Sequence, residues 1–362
     1  MKVFLAGGGT GGHIYPALAI AEALKKQIPE IQVEFVGTAA GLESKIIPRE
    51  GYQLHLIQSG KLNMSGQFFQ KIKSLIKVPL GIFQSIFLIL RHQPDFVIGV
   101  GGYVSAPFLL AAFLTGRRCA LWEPNAHPGM ANRILSRWIH TVYIVFEESK
   151  KYLKSTDNLL FGMPLRSQIT SALTESSNAT ASSGQPFTIL CFGGSQGSQF
   201  LNDQISDLIL NLGDDAKKIR LIHQTGPRDF ERIQKKYQDH ASVEVKDYIY
   251  NMPDYYRQAD LLFCRGGAST ISEAAAFGVV PIVVPLPAAD NHQQSNAESL
   301  VGKNAGFMLI QKEFDAQQFK KIVTDLMQNK DKLREMSKRL KELAPRNAAE
   351  LIAADIIKKI KN

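Results

Sequence analysis

Gly7-Gly8-Gly9-Thr10-Gly11-Gly12-His13 decides the fold, because the apolar run Val3–Ala6 leads into it and the helical stretch Ala17–Lys26 leads out. A glycine-rich turn between a strand and a helix lets backbone approach an oxygen-rich ligand. It also aims free N–H groups and the positive end of the helix dipole at an anion. The device returns 186 residues further on as Gly193-Gly194-Ser195-Gln196-Gly197-Ser198, directly after the run Phe187–Phe192. One such turn is weak evidence of a ligand site; two at equivalent places in two halves carry more weight.

Outward from these turns, short β-rich runs alternate with helical stretches. In the first half they are Val3–Ala6, Val33–Val36, Leu54–Ile57, Phe96–Val100, Cys119–Trp122 and Thr141–Val145. In the second they are Phe187–Phe192, Arg220–His223, Val243–Lys246, Leu261–Cys264, Val280–Val284 and Phe307–Leu309. That alternation predicts an α/β protein built of two Rossmann-like, doubly wound domains with parallel sheets. A length of 362 residues suits two cores. The Ser/Thr/Ala/Asn-rich stretch Thr170–Pro186 reads as a loop or linker, and Asn347–Lys361 as a docking helix with Leu351, Ile352, Ile356 and Ile360 on one stripe.

The acid that a nicotinamide site places after its second strand is absent, since that strand ends Val36-Gly37-Thr38. Two domains facing across a cleft fit a nucleotide-sugar transferase better. Cys119, Cys191 and Cys264 follow neither a disulfide framework nor a zinc spacing, which suits a reducing compartment. The net charge of +9 is uneven: residues 1–164 carry net +7 and the rest net +2. A basic first half points to an anionic partner or to a surface that keeps the chain soluble. The uncharged stretch Val78–Leu90, 13 residues interrupted by Pro79 and Gly81, is too short to span a bilayer.

The motifs taken in order resemble the MurG family of peptidoglycan N-acetylglucosaminyltransferases, nearly end to end. They are Gly7–His13 with Ile14-Tyr15-Pro16-Ala17; Gly99-Val100-Gly101-Gly102-Tyr103; Glu123, Asn125, Pro128-Gly129 and Asn132; and Gly162-Met163-Pro164-Leu165-Arg166. Gly193–Gly197, His223-Gln224-Thr225-Gly226, Cys264–Thr270 with Glu273, Asp290–Gln293 and Asn296-Ala297 follow. Pro124 stands where the family commonly has glutamine, Gly266 where it has serine, and His292 where some members have glutamine.

The resemblance implies a GT-B type fold, with residues 1–164 binding acceptor and membrane and residues 165–344 binding the UDP-sugar. A helix at about 345–362 would pack back on the first domain. The implied reaction moves N-acetylglucosamine from UDP-GlcNAc to the 4-hydroxyl of the muramoyl sugar of lipid I, undecaprenyl-pyrophosphoryl-MurNAc-pentapeptide. It inverts the anomeric centre and gives lipid II for cell-wall biogenesis. The alternative is another UDP-sugar enzyme on the same scaffold, such as a non-hydrolysing UDP-GlcNAc epimerase.

His13 is the expected base: the helix dipole opposes an imidazolium there, leaving the ring able to accept a proton. A phosphate-positioning role for the same ring is the alternative. Expected donor contacts are Thr10, Gly11, Gly12, Asn125, Arg166, Ser195, Ile249, Ala268, Ser269, Thr270, Glu273, His292 and Gln293, with Glu273 at the ribose and Ile249 at the uracil through its backbone. Gly9, Thr10, Gly102, Tyr103 and Asn125 are expected at the acceptor pyrophosphate.

Backbone donors of the Gly267–Thr270 segment take the place of a metal, and no metal or cofactor is called for by the spacing of any ligand set. Phe68, Phe69, Lys71, Ile72, Lys73, Leu75, Ile76 and Lys77 interleave apolar and cationic residues, predicting an interfacial patch followed by a second helix to Leu90. With the lipid-linked acceptor that the resemblance implies, the expected location is the cytoplasmic face of the bacterial plasma membrane, with no nucleic acid as partner. Cell-wall synthesis and division proteins are implied partners by resemblance.

Overall fold

The computed structural model describes residues 1–59, 68–175, 186–288 and 290–362, leaving aside the side chains of 68–78 and 175. Two compact units emerge, Met1–Ser167 with Arg346–Asn362, and Gln168–Pro345.

The first unit holds a seven-stranded parallel sheet. Its strands are β1 (Lys2–Gly7), β2 (Gln32–Gly37), β3 (Gln53–Leu56), β4 (Phe96–Gly101), β5 (Cys119–Glu123), β6 (Thr141–Ile144) and β7 (Asp157–Leu160). They lie in the order β3-β2-β1-β4-β5-β6-β7. The second unit holds β8 (Phe187–Phe192), β9 (Ile219–Gln224), β10 (Val243–Lys246), β11 (Leu261–Cys264), β12 (Val280–Val283) and β13 (Phe307–Met308), ordered β10-β9-β8-β11-β12-β13. Strands covered by helices on both faces need continuous apolar sequence, and Phe187-Thr188-Ile189-Leu190-Cys191-Phe192 is buried at every position. Each of the twelve runs read from the sequence forms a strand; β7, an edge strand, is the addition.

Both orders reverse direction once, between β1 and β4 and between β8 and β11. In such sheets the crevice beyond the carboxyl ends at that reversal is where ligands bind. The four glycine-bearing segments that follow those four strands therefore flank the two switch points.

One feature differs from expectation. One helix, Phe68–His92, runs through Pro79 and Gly81 without a break, so there is no separate second helix. A Cβ on residue 81 would overlap the Gln58 carbonyl, so the glycine is what lets this helix lie against the chain leaving β3. The side chains of the expected membrane patch, Phe68 to Lys77, lie outside the described residues. The last helix, Ala348–Lys361, belongs to the first unit: Gln27 Nε2 donates to the Glu350 carbonyl at 2.9 Å, and Tyr143 Oη to Asp355 at 2.8 Å. Ile352 and Ile356 are fully buried there.

Candidate active site

At the first switch point β1 and β4 stay in register until a bulge at Ala6/Gly7, where Gly7 comes opposite Gly101. Gly102 adopts φ +79°, and a Cβ there would overlap the Gly8 carbonyl, so the two turns can meet only as glycines. Thr10 is the N-cap of the helix Gly11–Gln27, exposed, with its carbonyl accepting from His13 N at 3.1 Å. His13 lies in the first turn of that helix and its ring rests on Gly101: a Cβ on residue 101 would sit 2.5 Å from His13 Nδ1. Tyr103 follows, half exposed. His13, Thr10, Gly102 and Tyr103 are thus brought to one crevice edge.

Buried carboxylates hold this edge. Glu43 accepts from Gly9 N at 2.7 Å and from Thr38 N and Oγ1 at 3.0 Å each. Burial raises its pKa, but those hydrogen bonds outweigh it and hold the carboxyl below the usual range. The Gly9 amide, expected at a pyrophosphate, is committed to Glu43 in this structure.

Glu123, at the end of β5, accepts from Asn125 N (2.8 Å), Asn125 Nδ2 (3.2 Å), Gly129 N (3.2 Å) and Asn132 Nδ2 (2.8 Å). Complete burial pushes its pKa up to about 7, with those bonds opposing. Asn125 is therefore positioned by Glu123, and Pro124 is buried beside it. Arg166 belongs to this unit and stacks its guanidinium 4.8 Å from the centre of the Tyr15 ring.

The second switch point is built around side chains from β9 and β11. Gly197, at φ +75°, lies so close to Thr225 that a Cβ would overlap the Thr225 carbonyl. Gln224, buried at the end of β9, donates Nε2 to the Gly194 carbonyl (3.0 Å) and accepts the Ile249 N–H at Oε1 (2.9 Å). It thereby ties the glycine turn to the residue expected at the uracil. His223 beneath it is fully buried, bonded to Asn202 Oδ1 at 3.0 Å, and burial drives its pKa down to about 3. Asn202 passes the link on to the Thr225 carbonyl at 2.9 Å. Arg265 donates to the Val284 carbonyl (3.1 Å) and to Ser198 Oγ (2.8 Å), joining the ends of β12 and β8.

The helix Ala268–Phe277 has Gly267 as its N-cap, so Ala268, Ser269 and Thr270 are its first turn. An N-terminus of this kind binds anions through N–H groups that have no helical acceptor. Glu273, one turn on, accepts from Tyr256 Oη at 3.3 Å. Ser195 is exposed on its turn. Gln293 Oε1 accepts from both Gly266 N (3.1 Å) and Leu286 N (3.0 Å), so its oxygen holds backbone in place. A Cβ on residue 266 would overlap the Gln293 carbonyl, which gives the glycine at this position its physical role. His292 Nδ1 pairs with Asp290 at 2.7 Å at the surface.

Glu43, Gln224 and Arg265 did not enter the sequence-derived site: Glu43 stands in no motif, and Gln224 and Arg265 stand in quoted motifs that gave them no role, since what they do is tie neighbouring segments together. The only signal was local: three glycines, Gly8, Gly37 and Gly41, lie where a Cβ would overlap or crowd the Glu43 side chain.

Residues 3–144 match the glycosyltransferase family 28 N-terminal domain and residues 188–352 its C-terminal domain. A Bdellovibrio bacteriovorus UDP-N-acetylglucosamine–N-acetylmuramyl-(pentapeptide) pyrophosphoryl-undecaprenol N-acetylglucosamine transferase is 51% identical over 98% of both chains. The chain belongs to the MurG family. A Geobacter sp. (strain M21) enzyme of the same name is 38% identical over 99% of this chain and 96% of its own. The crystal structure of Acinetobacter baumannii MurG superposes with a TM-score of 0.80 at 29% identity, covering 99% of each chain. Both parallel sheets are thus those of a GT-B glycosyltransferase. Neisseria meningitidis UDP-GlcNAc 2-epimerase, at TM-score 0.67 and 15% identity, shares the fold alone. The chain is thus an N-acetylglucosamine transferase of the MurG family.

Proposed function

We propose that this enzyme transfers N-acetylglucosamine from UDP-GlcNAc to the 4-hydroxyl of the muramoyl sugar of undecaprenyl-pyrophosphoryl-MurNAc-pentapeptide. The carrying observation is identity of 51% over 98% of the chain to a transferase of that name. In this reading the second switch point takes the donor. Ile249 and Glu273 meet the uridine, and Ser195 with the N–H groups of Ala268–Thr270 meets the diphosphate. Gln293 and His292 lie toward the sugar. Preorganised donors aimed at charge that develops on a leaving group are typically worth about 3–4 kcal/mol each.

The first switch point takes the acceptor. His13 accepts the 4-hydroxyl proton as the oxygen attacks the anomeric carbon from the face opposite UDP, which departs with the bonding pair. Thr10, Gly102, Tyr103 and Asn125 grip the pyrophosphate; because Gly9 N serves Glu43, the later amides Gly11 and Gly12 carry that contact. Arg166 adds charge to the UDP phosphates.

The lipid acceptor requires docking at the cytoplasmic membrane face. Among the described residues no helix is long and apolar enough to cross a membrane. Support for surface docking comes from Phe83, Phe87 and Leu90, which are 75%, 62% and 57% exposed on the helix Phe68–His92. Phe113 and Leu114 on the helix Ser105–Leu114 and Trp138, stacked on Phe113 at 6.4 Å, add to them. These exposed apolar side chains lie beyond the Phe68–Lys77 stretch singled out from sequence.

Radiolabelled UDP-GlcNAc incubated with a short-chain lipid I analogue tests the activity. Label reaching the lipid supports it; epimerised sugar without transfer, or no use of the acceptor, refutes it.

A further inference from the structure

Away from the switch points, a polar cluster sits where a parallel sheet is ordinarily apolar. Glu34 on β2 and His55 on β3 point to the sheet face that the helix Phe68–His92 covers, and His92 closes the cluster from that helix's last turn. Glu34 Oε2 lies 2.6 Å from His55 Nε2 and 3.6 Å from His92 Nδ1. One ligand atom from each of the three residues falls within 4.8 Å of the others. The side chains are 11%, 12% and 22% exposed. Phe4, wholly buried, stacks on His55 at 5.5 Å and approaches His92 at 5.8 Å, giving the cluster an apolar wall.

Lys2 Nζ takes the other carboxylate oxygen, Oε1, at 3.3 Å, which leaves Oε2 for a second partner. No step of the transfer reaction uses these residues. Two imidazoles and one carboxylate oxygen converging from three elements are the donor set of a borderline divalent ion.

We propose that Glu34, His55 and His92 form a structural binding site for a zinc-class divalent cation that rivets the end of the helix Phe68–His92 to strands β2 and β3. Zinc–nitrogen and zinc–oxygen bonds of about 2.0–2.2 Å put tetrahedral ligand atoms roughly 3.3 Å apart. His55 must therefore retreat by about 0.7 Å and His92 approach by about 0.3 Å on binding. A water would complete the four-coordinate set. Lys2 then acts as the partner that fixes the unligated oxygen, as outer groups commonly do at metal sites. No spacing rule detects the set, because its members are separated by 21 and 37 residues along the chain.

The test uses the full, tag-free chain freed of metal by chelator and titrated calorimetrically with Zn²⁺, with Mg²⁺ as a hard-cation control. One equivalent of Zn²⁺ binds at micromolar affinity or tighter, the melting temperature rises, and Mg²⁺ gives neither effect. His92→Gln and His55→Gln each weaken binding at least 10-fold while circular dichroism stays native; His92, at the helix end, is the milder change. Co²⁺ substitution gives a visible ligand-field spectrum without a thiolate charge-transfer band. Absence of saturable Zn²⁺ binding to the folded chain, binding unchanged in both variants, or a thiolate band placing the ion at a cysteine overturns the proposal.

Discussion

Replacing Gln224 by leucine keeps the volume of the side chain and removes both of its hydrogen bonds. The Ile249 N–H lies in a residue that is only 3% exposed, so it loses its acceptor without gaining water. An orphaned buried donor costs about 1–3 kcal/mol. The Gly194 carbonyl sits on a partly open turn and can be rehydrated, so its loss adds about 0.5–1.5 kcal/mol. Together the second unit loses roughly 2–4 kcal/mol, which in a domain of this size lowers Tm by about 4–16 °C. Both ends of the link lie in segments proposed to bind the donor, so KM for UDP-GlcNAc should rise roughly tenfold or more while the KM for the lipid acceptor stays put.

Gln224→Glu supplies the control. Its neutral carboxyl donates to Gly194 and accepts from Ile249, whereas the ionised form can only accept. Donor affinity in that variant should therefore recover as pH falls, a trend the leucine variant lacks. Calorimetric melting plus a donor titration at pH 6 and pH 8 reads both. A leucine variant with wild-type Tm and an unchanged donor KM would refute the reasoning.

Other outcomes follow from the same geometry. His13→Ala should lower kcat by about 10²–10⁴ with little change in UDP-GlcNAc binding; unchanged kcat removes His13 as base. Glu43 has a folded pKa below its unfolded value near 4.5, so its contribution to stability is full above that value and lost as pH falls through the lowered one. Glu43→Gln should thus be less stable at pH 7 and show a flatter acid limb below about pH 4.5 in urea denaturation; an acid limb identical to wild type contradicts this. Phe83→Ser with Phe87→Ser should weaken flotation with anionic liposomes while leaving melting unchanged; undiminished flotation defeats the docking face.

The strands were legible because a sheet covered on both faces requires uninterrupted apolar runs, and Val33–Val36 or Val280–Val284 admit few other readings. β7 escaped because Asp157-Asn158 are turn-forming residues; pairing with Thr141–Ile144 alone makes them a strand. Pro79 and Gly81 read as helix breakers, yet packing of the helix against the chain after β3 carried it through both. The glycine turns and His13 announced themselves by local context. Glu43 did not, since a carboxylate that serves distant backbone leaves no spacing to recognise, and Gln224 stood in a motif without its backbone partners being legible. The Glu34–His55–His92 cluster was hidden for the same reason: the sheet, not the sequence order, makes those residues neighbours.

The first unit is interrupted by the second and finished only by Arg346–Asn362. On the ribosome, β1 and its helix Gly11–Gln27 emerge before the second unit, but their covering helix, Ala348–Lys361, is made only after it. The intervening Gln168–Pro345 takes roughly 9–36 s to synthesise at about 5–20 residues per second. For that interval the apolar surface that receives Ile352 and Ile356 stays uncovered, while Gln168–Pro345 can complete its own core. A stalled or truncated transcript would release a chain with one finished half and one adhesive half, a natural target for chaperones and proteases.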